Sequence, residues 1–204
     1  MSASAGDPGA GVREAARRAL DWHDLAAAAK GCTACPELAA TRRNVVVGSA
    51  PAGARLLVVG EAPGAQEDAG GQPFVGRSGQ LLDRLLAEAG LPREQVAVLN
   101  TLKCRPPGNR VPTRTETAAC RGWTERQVEL LDPAVVLTLG LSATTWWLGR
   151  TTLTAARGRV HRVAGRQVLA TYHPSAALRH GPRGEPLRLL REDLALAVRL
   201  ASPG

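Results

Sequence analysis

Three stretches of this 204-residue chain carry side chains that could do chemistry on a ligand. The first, "GEAPGAQEDAGGQPFVG" at residues 60–76, sets glycines among Glu61, Glu67, Asp68 and the chain's single phenylalanine, Phe74. A phosphate cradle of the G-x4-G-K-S/T type would offer a lysine. This loop offers carboxylates, which repel phosphate. The second, "VLNTLKCRPPGNRVPT", places Asn100 at the end of an apolar run. The third, "TYHPSAALR", places His173 before a proline and so at a chain corner. Each has a plainer reading: Phe74 as a core anchor for its loop, Asn100 as a turn cap, His173 as a structural hydrogen-bonder.

The cysteines form a fourth constellation. Cys32 and Cys35 make a C-x2-C pair in a turn, the geometry by which one segment gives two ligands to one metal. Cys104 and Cys120 are separated by fifteen intervening residues, one in a proline-rich loop and one on the next helical stretch. No histidine stands at ligand spacing beside them. An all-thiolate set suits zinc or an iron–sulfur cluster, and the spacing does not choose between them.

The elements that must position these residues alternate. Residues 12–29 have alanine and leucine at helical spacing and read as one helix. "ARLLVVG" (54–60) is an apolar run of the kind found in buried parallel strands. "GQLLDRLLAEAG" (79–90) is an amphipathic helix closed by Gly90, with Pro92 just beyond. A strand at 96–100, a helix at 113–131 and a strand at 134–140 follow. After them come the short helix "SATTWWLG", two β-like runs near 158–163 and 167–172, and a closing amphipathic helix. Alternating strands and helices imply a parallel sheet with helices on both faces. Ligands in such folds lie at the carboxyl ends of the strands, where Glu61 to Gly64, Asn100, the Gly140 region and Tyr172-His173 all fall.

The formal net charge is +8, mostly from arginine, which fits a polyanionic partner such as DNA or RNA; a GC-rich genome would produce the same arginine bias. No apolar stretch reaches the roughly 18 residues that span a membrane. "MSASAGDPGAG" has no basic start followed by an apolar run, so it is not a secretory signal. The expectation is a disordered tail over 1–10, a single domain over 11–204 and a cytoplasmic location.

The three motifs, in this order and with four cysteines so placed, resemble the family 4 uracil-DNA glycosylases, the iron–sulfur members of the uracil-DNA glycosylase superfamily. The resemblance runs from about Cys32 to the C-terminal helix. It implies a three-layer α/β/α sandwich around a mainly parallel four-stranded sheet, and a monomer acting on uracil in single- or double-stranded DNA. It also implies a [4Fe-4S] cluster on Cys32, Cys35, Cys104 and Cys120.

By that resemblance, Ala62, Gly64, Glu67, Phe74, Asn100 and His173 form the base pocket. Phe74 would stack on the extruded uracil, and Asn100 would accept from N3–H and donate to O4. Cytosine presents the opposite pattern. A flipped Asn100 amide would accept cytosine, so something must pin its orientation. Glu67 would bar the thymine methyl group, unless it only caps a helix start. His173 would donate to O2 as negative charge develops there. The superfamily's best-known branch has an aspartate where this chain has Ala62, so Glu61 is left to aid water or loop geometry. Arg105, Arg110, Arg114 and Arg179 are candidate phosphate contacts, and Leu178 or Ala177 a candidate wedge into the gap left by the base. Two other readings compete. One is a non-catalytic cysteine-metal DNA-binding module of the same fold, favoured by Ala62. The other is the covalent-trapping family X, disfavoured because Thr101 to Cys120 contains no histidine.

Overall fold

The computed structural model describes residues 7–202. Of the tail expected over 1–10, residues 1–6 lie outside the described residues. Asp7 accepts from the Gly9 N–H at 2.9 Å, and Ala10 opens the first helix. The region read as one helix over 12–29 is two, α1 (Ala10–Arg18) and α2 (Trp22–Lys30). The break has a local cause: the Asp21 carboxylate caps α2 by accepting from the Asp24 N–H, and this draws Ala19 into extended backbone. The short α3 (Pro36–Thr41) follows directly on Cys35.

The chain then winds through β1 (Leu56–Gly60), α4 (Ala65–Gly70), α5 (Arg77–Glu88), β2 (Ala97–Asn100), α6 (Arg114–Leu131), β3 (Val135–Leu139) and α7 (Gly140–Leu148). It ends with α8 (Leu153–Ala156), β4 (His161–Val163), β5 (Arg166–Thr171), α9 (Pro174–His180) and α10 (Glu185–Ala201). The sheet order is β2-β1-β3-β5-β4. The four strands that run β2-β1-β3-β5 are parallel, and β4 is antiparallel to β5.

The sheet therefore has five strands and not the four expected. The extra strand is the weak β-like run before 163, three residues long and only half-buried. It is recruited through a two-residue turn, Ala164-Gly165, in which both residues have positive φ. That turn closes an antiparallel hairpin with the twist the flanking strands need.

Strand alternation divides the core. Leu56, Val58, Val98, Leu137 and Leu169 face α5, α9 and α10. Leu57, Val59, Leu99, Val136 and Val168 face α6 and α7. A third cluster packs α1 and α2 on Trp123 of α6 and contains Cys104 and Cys120. The outer edge of β2 is covered by Ser49, which exchanges both backbone hydrogen bonds with Val98.

Candidate active site

Gly60 and Asn100 are register partners at the carboxyl ends of β1 and β2, and β5 ends beside β3 at Thr171. One open pocket lies over these ends, lined by Glu61, Ala62, Gly64, Glu67, Phe74, Asn100, Tyr172 and His173. Residues read from three separate motifs thus meet at one place.

Gly60 lies beneath the pocket because nothing larger fits. A Cβ there would stand 2.4 Å from Asn100 Oδ1 and 2.6 Å from Phe74 Cζ. Asn100 is only 2% exposed, and its Nδ2 is buried without a partner. An unpaired buried donor is costly unless a ligand completes it. Phe74 holds a left-handed backbone (φ 55°), a strained state for a residue with a large side chain. Its carbonyl sits against Gly79, where a Cβ would come within 1.7 Å of the oxygen. The Phe74 and His173 rings lie 6.0 Å apart, tilted by 34°.

His173 caps α9, with Pro174 at the first helical position. Its Nδ1 accepts from the Ser175 N–H at 3.1 Å and lies 2.9 Å from the Ser175 hydroxyl. A ring nitrogen that accepts a backbone N–H is unprotonated, so the proton of the neutral ring sits on Nε2. Burial, with a smaller push from the Arg179 charge, lowers the His173 pKa to about 4. The imidazole at the pocket is neutral near pH 7 and is a fixed donor. Sequence reading missed Ser175. The run His-Pro-Ser, a cap followed by proline, is the signal that could have found it.

Glu67 is a clamp. One oxygen accepts from Val75 N–H (2.9 Å) and Gly76 N–H (2.7 Å), the other from Gly64 N–H (3.1 Å). It therefore shapes the wall of the pocket by closing the loop on itself. Glu61 lines the pocket, while its carbonyl accepts from Leu102 N–H and the Thr101 hydroxyl. Ala62 packs against the N-terminal cluster.

The candidate DNA contacts separate. Arg179 is exposed and lines the mouth, and Arg114 is also exposed. Arg105 donates to Asn109 Oδ1 at 2.7 Å. Arg110 is tied to Glu116 at 2.6 Å and to Glu37 at 3.0 Å. That hydrogen-bonded guanidinium holds the Glu116 carboxyl down at about 2. Leu178 is half-buried against the α5–α10 core, and Ala177 is buried within it. The exposed apolar side chains at the mouth are Val111 (73%) and Leu141 (46%), neither of which sequence reading singled out.

The four cysteines line one small pocket together with Arg42, Lys103 and Trp123. Burial pushes the thiols up, Cys35 to about 11 and Cys120 to about 12, and raises Cys104 as well. Arg42 donates to Cys104 Sγ (3.3 Å) and to the Cys32 carbonyl (2.6 Å). The Lys103 N–H donates to Cys120 Sγ at 3.4 Å. Among the described residues, no three of the sulfurs lie mutually within 4.8 Å. A single zinc ion with thiolates at about 2.3 Å would hold its sulfurs about 3.8 Å apart.

Fold and pocket together define an α/β protein whose strand ends can take a flat, polar ring between an aromatic face, an amide and a neutral imidazole. The sequence model of the uracil DNA glycosylase superfamily matches residues 47–195. The type-4 uracil-DNA glycosylase of Thermotoga maritima is 43% identical over 171 residues, covering 82% of this chain and 88% of that protein. That of Pyrobaculum aerophilum is 40% identical over 187 residues, covering 87% and 93%. A type-5 uracil-DNA glycosylase of Pyrobaculum aerophilum is 35% identical over 143 residues, covering 60% and 62%. The chain belongs to the uracil-DNA glycosylase superfamily, and within it to the type-4 family.

Proposed function

We propose that this chain is a DNA-repair glycosylase that takes uracil out of DNA and hydrolyses its N-glycosidic bond, leaving an abasic site. The observation that carries this reading is the convergence of Phe74, Asn100 with its unpaired Nδ2, and the neutral His173 on one pocket. Phe74 offers a stacking face, and base–aromatic stacking is worth about 1–3 kcal/mol. The Asn100 amide donates to uracil O4, and its carbonyl accepts from N3–H. The Nε2–H of His173 donates to O2, where charge accumulates as the bond to the sugar breaks. A preorganised donor at developing charge is commonly the largest catalytic contribution.

No base stands at Ala62, so catalysis leans on leaving-group stabilisation. Glu61 assists by holding its loop to Leu102 and Thr101. Arg179, Val111 and Leu141 form the rim that meets the DNA, with Arg105 and Arg114 as outlying charges. Monomeric, cytoplasmic action is part of this reading.

The cysteines are read as the ligands of a [4Fe-4S] cluster. Support comes from the all-thiolate donor set and from sulfurs spaced too widely for one zinc ion. Bound there, the cluster would be structural, tying the α2–α3 turn to the loop after β2.

The test is release of uracil from single-stranded, U:G and U:A oligonucleotides, read as strand cleavage at the abasic site, with thymine and hypoxanthine as comparisons. Uracil alone should be released. A wild-type protein that binds these DNAs and releases nothing would leave the non-catalytic binding module in its place.

A further inference from the structure

Lys103 is the largest of the fully buried side chains, at 1% exposure. Its ammonium has one hydrogen-bond acceptor, the Asn100 carbonyl at 2.6 Å. No carboxylate pairs with it among the described residues, and the pocket it lines is shared with Cys32, Cys35, Cys104 and Cys120 and with no Asp or Glu. A cation taken out of water without a counter-charge is strongly disfavoured, and an apolar chain of similar length would fill the space without that cost. The groups beside Lys103 able to carry negative charge are the cysteines, which are anionic as metal ligands.

The position of Lys103 is as informative as its charge. Arg42 meets the cysteine pocket on its half-buried side. Lys103 meets it on the inner side, and its Nζ reaches back to Asn100, the residue proposed to read the base. The intervening backbone is stitched to the first loop, Thr101 N–H to the Gly60 carbonyl and Leu102 N–H to the Glu61 carbonyl.

We propose that Lys103 is the internal counter-charge of the ligated cysteine set and the strut through which that set fixes Asn100 for base reading. The proposal rests on the reading of the cysteines as a cluster site. When ligation is lost, the thiolate charge goes with it. Lys103 then keeps only the Asn100 carbonyl as a partner, and the charge that anchors it under Asn100 is gone. Base recognition therefore depends on the state of the metal pocket without any metal contact to the base.

The experiment compares wild type with Lys103→Met (no charge, no donor), Lys103→Gln (no charge, one donor kept) and Lys103→Arg (charge kept). Two quantities are read: decay of the cluster's visible absorption under ferricyanide, and kcat and KM for a uracil oligonucleotide in the fraction still loaded. The Met and Gln proteins should lose absorption about 10-fold faster than wild type, while Arg stays near wild type. KM should rise about 10-fold for Met and less for Gln, with kcat little changed. Met and Gln proteins as resistant to ferricyanide as wild type would overturn the counter-charge. A Met protein with wild-type KM would overturn the strut. Wild-type protein purified with neither iron nor visible absorption would fail the cluster reading itself, a result distinct from both.

Discussion

His173 and Asn100 show how a single residue's surroundings set its chemistry. The fold lowers the His173 pKa to about 4, against about 6.5 in an unfolded chain. Between those values the unfolded chain holds a proton that the folded one does not, so stability rises with pH across that window. The contribution is fully present above about pH 6.5 and lost as pH falls toward 4. Denaturant titrations from pH 4 to 7 should therefore show a weaker pH dependence in His173→Ala than in wild type. Because the working imidazole is neutral, single-turnover excision should stay flat from about pH 8 to 5 and fall below that. Replacing His173 by alanine should cost about 10²–10³-fold in rate, by analogy with removal of one oxyanion donor. Asn100→Ala would leave two base hydrogen bonds unmade at about 1–3 kcal/mol each, seen as a loss in kcat/KM for uracil.

The loop between β1 and α5 is where a whole element matters. It runs past the pocket, turns Phe74 inward in a left-handed conformation, and is closed by three N–H groups on Glu67. Glu67→Ala should lower stability by about 1–3 kcal/mol and raise KM, because the released loop no longer holds Phe74 in its strained state. Gly60→Ala would drive a methyl group into the space of Asn100 Oδ1 and Phe74 Cζ. Excision should be lost in that variant while far-UV circular dichroism stays native. Full activity in Gly60→Ala would overturn the role of this close packing beneath the pocket.

Across the whole molecule, the charge of +8 should make DNA binding strongly salt-dependent. Two arginines at the pocket should behave differently. Arg179 is exposed at the mouth, so Arg179→Ala should reduce the slope of log Kd against log salt by about one. Arg110 is paired with the buried Glu116, so Arg110→Ala should leave that slope nearly unchanged and lower the melting temperature.

Much of this was legible in local pattern. The strands at 54–60, 96–100, 134–140 and 167–172 were apolar runs, and their ends carried the polar residues of the site. The break at Asp21 was present as a cap signal inside a continuous alanine-rich pattern, and the pattern obscured it. The strand before 163 was too short and polar to declare itself, since its pairing comes from the Ala164-Gly165 turn and its neighbour. Leu178 reads equally as wedge or core from sequence, and only packing placed it against the core.

The sequence by itself determined which residue types could meet a base and a metal, because glycine loops, cysteine spacing and strand ends are written in local order. The tertiary structure alone decided how those residues are held. Ser175 fixes the His173 tautomer, Glu67 closes its loop, Glu116 occupies Arg110, and Lys103 lies between the cysteines and Asn100. Such assignments depend on which buried donors and acceptors find each other across the fold, and that is a property of packing that spacing along the chain does not encode.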